Sequence, residues 1–105
     1  MSLHGKKLAL LLSTAPDCPG FQHGLALAES ALSEGAEVYL YCIDDAVRGL
    51  TGPRLQSLAV RGLKLFGCAY AAQRRQLPID EKATWAGLAL LSDLMAAADR
   101  FVSFN

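Results

Sequence analysis

The stretch Leu63–Arg75, LKLFGCAYAAQRR, sets the fold. Its first half, Leu63 to Gly67, is a short apolar run of strand type. Its second half, Ala69 to Gln76, has helix-forming composition with two adjacent arginines. The change falls at Gly67-Cys68, so a strand is expected to end and a helix to begin at the cysteine. The segments on either side repeat this alternation. Lys6 to Ser13 reads as the first strand, continuously apolar from Leu8 to Leu12, as in a parallel strand covered on both faces. Phe21 to Glu34 reads as a helix, with Phe21, Leu25, Ala28 and Leu32 at helical spacing and Gly35 as its stop. Glu37 to Ile43 is rich in β-formers.

After that strand, Asp44 and Asp45 are candidates to cap a short helical turn, Ala46 to Leu50. Pro53 suits the first turn of a further helix lined by Leu55, Leu58 and Ala59. Leu77 to Asp80 reads as a loop. A last helix is expected to begin between Glu81 and Ala86 and to present Leu88, Leu91, Leu94, Met95 and Ala98 to the core or to another subunit. Arg100 to Phe104 is the final strand. Strands alternating with helices over short connections predict right-handed βαβ units. The expected architecture is a three-layer α/β/α sandwich with a mostly parallel sheet of four to five strands, one domain spanning residues 1–105.

Composition narrows the function. Half the chain is apolar (52%), and ten lysines and arginines balance ten aspartates and glutamates. That balance gives no electrostatic footprint for nucleic acid or a membrane surface. No apolar run approaches the roughly 20 residues that span a bilayer. Lys6, Lys7 and the leucines after them imitate a signal peptide, but the apolar run is short and the region after it is a poor cleavage site, so a buried strand is the preferred reading. The motifs of dinucleotide, nucleotide and serine-hydrolase sites are missing.

Three cysteines, Cys18, Cys42 and Cys68, form neither a disulfide framework nor a CxxC pair, which fits a reducing cytoplasm. With His4 and His23 they show no zinc-type spacing, so neither a metal nor a cofactor is implied. In a parallel sheet all three cysteines fall toward the carboxyl edge, where sites form. Cys68, between a strand end and a helix start, is best placed for a thiolate. Arg74 and Arg75 are candidates for anion stabilisation. Cys18 is a candidate secondary thiol, able to form a redox pair with Cys68 if the two Cα atoms approach within roughly 7 Å. His23 is either a proton donor near Cys18 or a solvated side chain. Cys42, inside an apolar strand, reads as core. The alternative for Cys68 itself is a small buried filler.

Over nearly its whole length the chain resembles the DsrE/DsrF-like sulfur-relay family, including the TusD-type and small YchN-like proteins. The matching parts are the opening strand with the helix ending at Gly35, and strand two followed by Asp45-Ala46-Val47. They continue with the strand ending in Cys68, Arg74-Arg75 beyond it, Thr84-Trp85-Ala86-Gly87-Leu88 and Ala98-Asp99-Arg100-Phe101-Val102-Ser103-Phe104. The resemblance implies a sulfurtransferase role in which Cys68 carries sulfur as a persulfide between a donor protein and an acceptor thiol. It also implies a homo-oligomer, a trimer or hexamer. The alternative is a non-catalytic oligomeric scaffold or small-molecule-binding module.

Overall fold

The computed structural model describes residues 2–105. Five strands form one parallel sheet in the order β4-β3-β2-β1-β5. They are β1 (Lys7–Leu12), β2 (Glu37–Cys42), β3 (Lys64–Cys68), β4 (Thr84–Ala86) and β5 (Arg100–Phe104). The helices are α1 (Pro19–Ser33), α2 (Pro53–Val60), α3 (Ala69–Arg74) and α4 (Leu88–Ala97), with a 3₁₀ helix at Asp44–Gly49. This is the expected α/β class with five strands. The centre of the sheet is β2, and β1 lies between β2 and β5.

The order fixes which face each helix covers. From β1 to β4 the chain steps one strand at a time in one direction. Right-handed connections therefore place α1, the 3₁₀ helix, α2 and α3 on a single face. The return from β4 to β5 crosses the whole sheet, which leaves α4 alone on the other face, in touch with β4 and β1. Helices thus flank both faces, four segments against one.

Side chains alternate between the faces. The face under α1 carries Leu10, Leu12, Val38, Leu40, Cys42 and Leu65, all buried. On α1, Phe21, Gly24, Leu25, Ala28 and Ala31 turn inward, the helical period seen in the sequence. A side chain at Gly24 would run into Leu12, so glycine there sets how closely the helix approaches the sheet. Gly35 ends α1 at φ 93°, a conformation that an L side chain rarely adopts.

The face under α4 is less well covered. Ala9, Tyr41 and Cys68 are buried, but Leu11, Tyr39 and Phe66 are only half-buried. No residue of α4 is fully buried. Leu91 and Leu94 pack on the core, whereas Leu88 and Met95 point outward at 63% and 47% exposure. The expected single apolar stripe is therefore split between two sides.

Two local readings of the sequence need correction. Thr84–Ala86 does not open the last helix. It is an edge strand, pairing Thr84 with Phe66, Trp85 with Gly67 and Ala86 with Cys68. Threonine and tryptophan suit a pleated strand, and α4 starts only after Gly87. The aspartates do not cap the turn either. The 3₁₀ helix begins at Asp44 with Ile43 as its N-cap and no side-chain cap, and Asp45 pairs with arginines instead.

The segment before β4 is tied down by side chains. Gln56 Nε2 donates to the carbonyls of Leu50 (2.7 Å) and Lys82 (3.0 Å), and Trp85 Nε1 donates to the Asp80 carbonyl (2.7 Å). Beneath this clasp, a Cβ built on Gly67 would lie 2.7 Å from both Leu50 Cδ1 and Trp85 Cζ3. Gly67→Ala is expected to destabilise the fold by about 1–3 kcal/mol through overpacking. Urea unfolding followed by the fluorescence of Trp85, the only tryptophan, measures it. Unchanged stability would mean that Leu50 and Trp85 have room to shift.

Candidate functional site

Cys68 is both the last residue of β3 and the N-cap of α3, as the sequence predicts. It makes no side-chain capping bond. The helix it opens is only six residues long, so its end field is small, and polar neighbours matter more. Cys68 is 7% exposed, and it sits in a cleft of about 560 Å³ at the carboxyl edge. The cleft lies along α3, between the segment that follows β2 and the start of α4. Its other walls are Ile43, Asp44, Tyr70, Ala71, Arg74, Arg75 and Leu88. The sulfur thus borders a partly apolar space open to solvent, of a size that accepts a small ligand or a peptide arm.

The two arginines both line the cleft but have different duties. Arg75 is committed to structure. Its Nε donates to Asp45 Oδ1 at 2.9 Å and its Nη1 to the Ala71 carbonyl at 3.1 Å. The hydrogen bond from Arg75, more than the charges of Arg75 and Arg48, holds the Asp45 carboxyl below its ordinary range. Arg74 has no acidic partner among the described residues. Its Nη1 donates to the Tyr70 hydroxyl at 3.0 Å, and its guanidinium lies 5.7 Å from the centre of that ring. Tyr70 holds the side chain in place while its charge stays uncompensated. Of the two arginines lining the cleft, Arg74 is the one without a carboxylate partner among the described residues.

Asp44 is a feature that the sequence did not flag for this cleft. It adopts φ 51°, unusual outside glycine though tolerated by aspartate, and it stands at the rim. The segment Cys42-Ile43-Asp44-Asp45 offered no signal beyond the acidic pair itself.

The other cysteines are placed differently. Cys42 has no exposed surface, and burial pushes its thiol well up from the ordinary range. Cys18 is the half-buried N-cap of α1 and does not line the cleft. All three are free thiols. His23 is exposed on α1. Among the described residues no group of three or more His, Cys, Asp or Glu is arranged to hold a metal ion. None of the helices among the described residues is long and apolar enough to cross a membrane. A second cleft, of about 590 Å³, lies at the amino edge between α1 and β5 and contains no cysteine.

The family model described as DsrE/DsrF-like matches residues 6–104. Among solved structures, the ychN protein from E. coli superposes with a TM-score of 0.79 at 18% identity, covering 94% of this chain and 99% of that one. At that identity the likeness speaks for the fold. No curated protein matches the chain.

Burial separates Cys68, which borders the cleft, from Cys42, which has no exposed surface. With limiting iodoacetamide at neutral pH, Cys68 is expected to be alkylated well before Cys42 in the native protein, as read by peptide mass spectrometry. Cys42 should react only on unfolding. Modification of Cys42 ahead of Cys68 would show that the cleft does not expose the sulfur.

Proposed function

The chain belongs to the DsrE/DsrF-like family, and on that premise we propose that it is a sulfur-relay protein, carrying sulfur as a persulfide on Cys68 and passing it to an acceptor thiol. The observation that carries this reading is the pairing of Cys68 with Arg74 in one open cleft. A persulfide at the sulfur is an anion, and the free guanidinium is positioned to offset its charge.

The chemistry is that of thiol–disulfide exchange. The Cys68 thiolate attacks the outer sulfur of a donor persulfide, R–S–SH. A new S–S bond forms on Cys68 as the donor's S–S bond breaks, and the donor leaves as R–S⁻. An acceptor thiolate then attacks the outer sulfur of Cys68–S–SH and releases the Cys68 thiolate. Each step conserves electrons, so neither step requires a metal, an organic cofactor or an oxidant. The protein's part is to hold the sulfur at the edge, stabilise its anion and limit access. Donor and acceptor are taken to be proteins, and the compartment a reducing cytoplasm. Cys18 does not line the cleft, and in this reading it is the secondary thiol.

The same reading includes a homo-oligomer, a trimer or hexamer. The support is α4, an apolar helix without a fully buried residue, whose Leu88 and Met95 face outward, together with the half-covered Tyr39 and Phe66 on the sheet face it covers. A surface of that kind is ordinarily covered by another subunit. Leu88 also lines the Cys68 cleft, so subunit contacts along α4 would border the site.

Two experiments test these statements. Incubation with a small persulfide donor is expected to add one sulfur atom to the intact mass, and Cys68→Ser should abolish the gain while Cys18→Ser retains it. A protein that gains no sulfur, or gains it equally in Cys68→Ser, would favour a non-catalytic scaffold. Light scattering is expected to give three or six copies at micromolar concentration, and Met95→Lys on α4 should weaken the assembly. A stable monomer would contradict the assembly.

A further inference from the structure

Tyr41 is the largest of the fully buried side chains. It stands on β2 opposite Phe66 of β3. It therefore shares a sheet face with Phe66 and with Cys68, two residues further along β3. Its hydroxyl donates to the carbonyl of Ala86 at 2.8 Å, and Ala86 is the register partner of Cys68 on β4. A ring that starts on β2 at the level of Phe66 and ends on β4 at the level of Cys68 must cross β3. On that face the crossing falls between Phe66 and Cys68, and the hydroxyl end interacts with Cys68, the diagonal neighbour of Tyr41. The phenol thus runs alongside the sulfur. Burial first, then the charge and hydrogen bonding of Cys68, push the Tyr41 hydroxyl up to about 12. It keeps its proton through the whole range in which thiols ionise.

We infer that Tyr41 is a positioning residue for the sulfur of Cys68, its hydroxyl turning from the Ala86 carbonyl to the sulfur once the thiol or persulfide is an anion. With a neutral thiol, the O–H rests on Ala86 and the oxygen lone pairs are free to accept from S–H. After ionisation, rotation about one C–O bond redirects the same proton to the sulfur. No proton leaves the tyrosine and no bond to sulfur changes. Phenylalanine would fill the space and lack the donor, and a hydrogen bond from a fully buried hydroxyl gains strength from the low dielectric on its side of the sulfur. The other titratable groups facing Cys68 are Asp44 on the 3₁₀ helix and Tyr70, Arg74 and Arg75 on α3. From β4 the register partner of Cys68 is Ala86, and from α4 only Leu88 lines the cleft; neither titrates. Only Tyr41 among these groups is fully buried. The persulfide half of the inference rests on the sulfur-carrier reading, and the thiolate half stands without it.

The test is the pH–rate profile of Cys68 alkylation by iodoacetamide in the full chain carrying Cys18→Ser, with and without Tyr41→Phe. The variant is expected to react about tenfold more slowly at neutral pH, with its midpoint moved about one unit to the alkaline side, as for loss of a hydrogen bond to a charged group. A folded variant with an unmoved profile overturns the inference, since a purely structural tyrosine would not shift it. If Tyr41→Phe does not fold, fluorotyrosine at position 41, in a chain with Tyr39→Phe and Tyr70→Phe, keeps the hydroxyl and makes it a stronger donor. Against ordinary tyrosine in that background the midpoint should move to the acid side, and no movement overturns the inference. Sulfur uptake by mass is a separate readout. Loading of sulfur with an unmoved profile removes Tyr41 alone, and a moved profile without loading removes the carrier reading alone.

Discussion

The chain passes from β3 into α3 without a linking residue, because Cys68 ends one and caps the other. This junction places a sulfur at the carboxyl edge, in register with Ala86 on one side and one residue past the Cys42–Gly67 pair on the other. Gly67 makes the junction tight, since Leu50 and Trp85 fill the space a side chain would need. The face below is thereby sealed, and the sulfur is left on the face that α4 covers only in part. Access to Cys68 and closure of the core are two consequences of one turn in the chain.

Charge around the sulfur follows from how α3 is built. Arg74 is the last residue of α3, and Arg75 is its C-cap with non-helical backbone angles. One reaches back to Asp45 and the Ala71 carbonyl and anchors α3 to the 3₁₀ helix. The other leans on Tyr70 and keeps its charge for the cleft. A carboxylate-paired arginine and one without a carboxylate partner are thus separated by a single residue step.

Much of this was legible in the residues. The continuous apolar run Leu8–Leu12, the helix stop at Gly35 and the change of character at Gly67-Cys68 each have a local cause, and each reappears in the structure. The three-residue strand Thr84–Ala86 was not legible, because so short a segment shows no alternation and its pairing depends on β3, far back in the chain. Strand order hid the most informative contact. Tyr41 meets Cys68 and Ala86 only because β2, β3 and β4 are consecutive neighbours, and nothing local to Tyr41 encodes that. The division between Arg74 and Arg75 was hidden for the same reason, since Asp45 lies thirty residues away along the chain.

The central claim, that sulfur resides on Cys68 within the cleft, is tested most directly by a crystal structure of the protein prepared without oxygen after treatment with a persulfide donor. The account predicts one added sulfur atom bonded to Cys68 Sγ, lying between Arg74, Tyr70 and Leu88, with Cys18 and Cys42 unmodified. Added sulfur on Cys18 with Cys68 bare would contradict it.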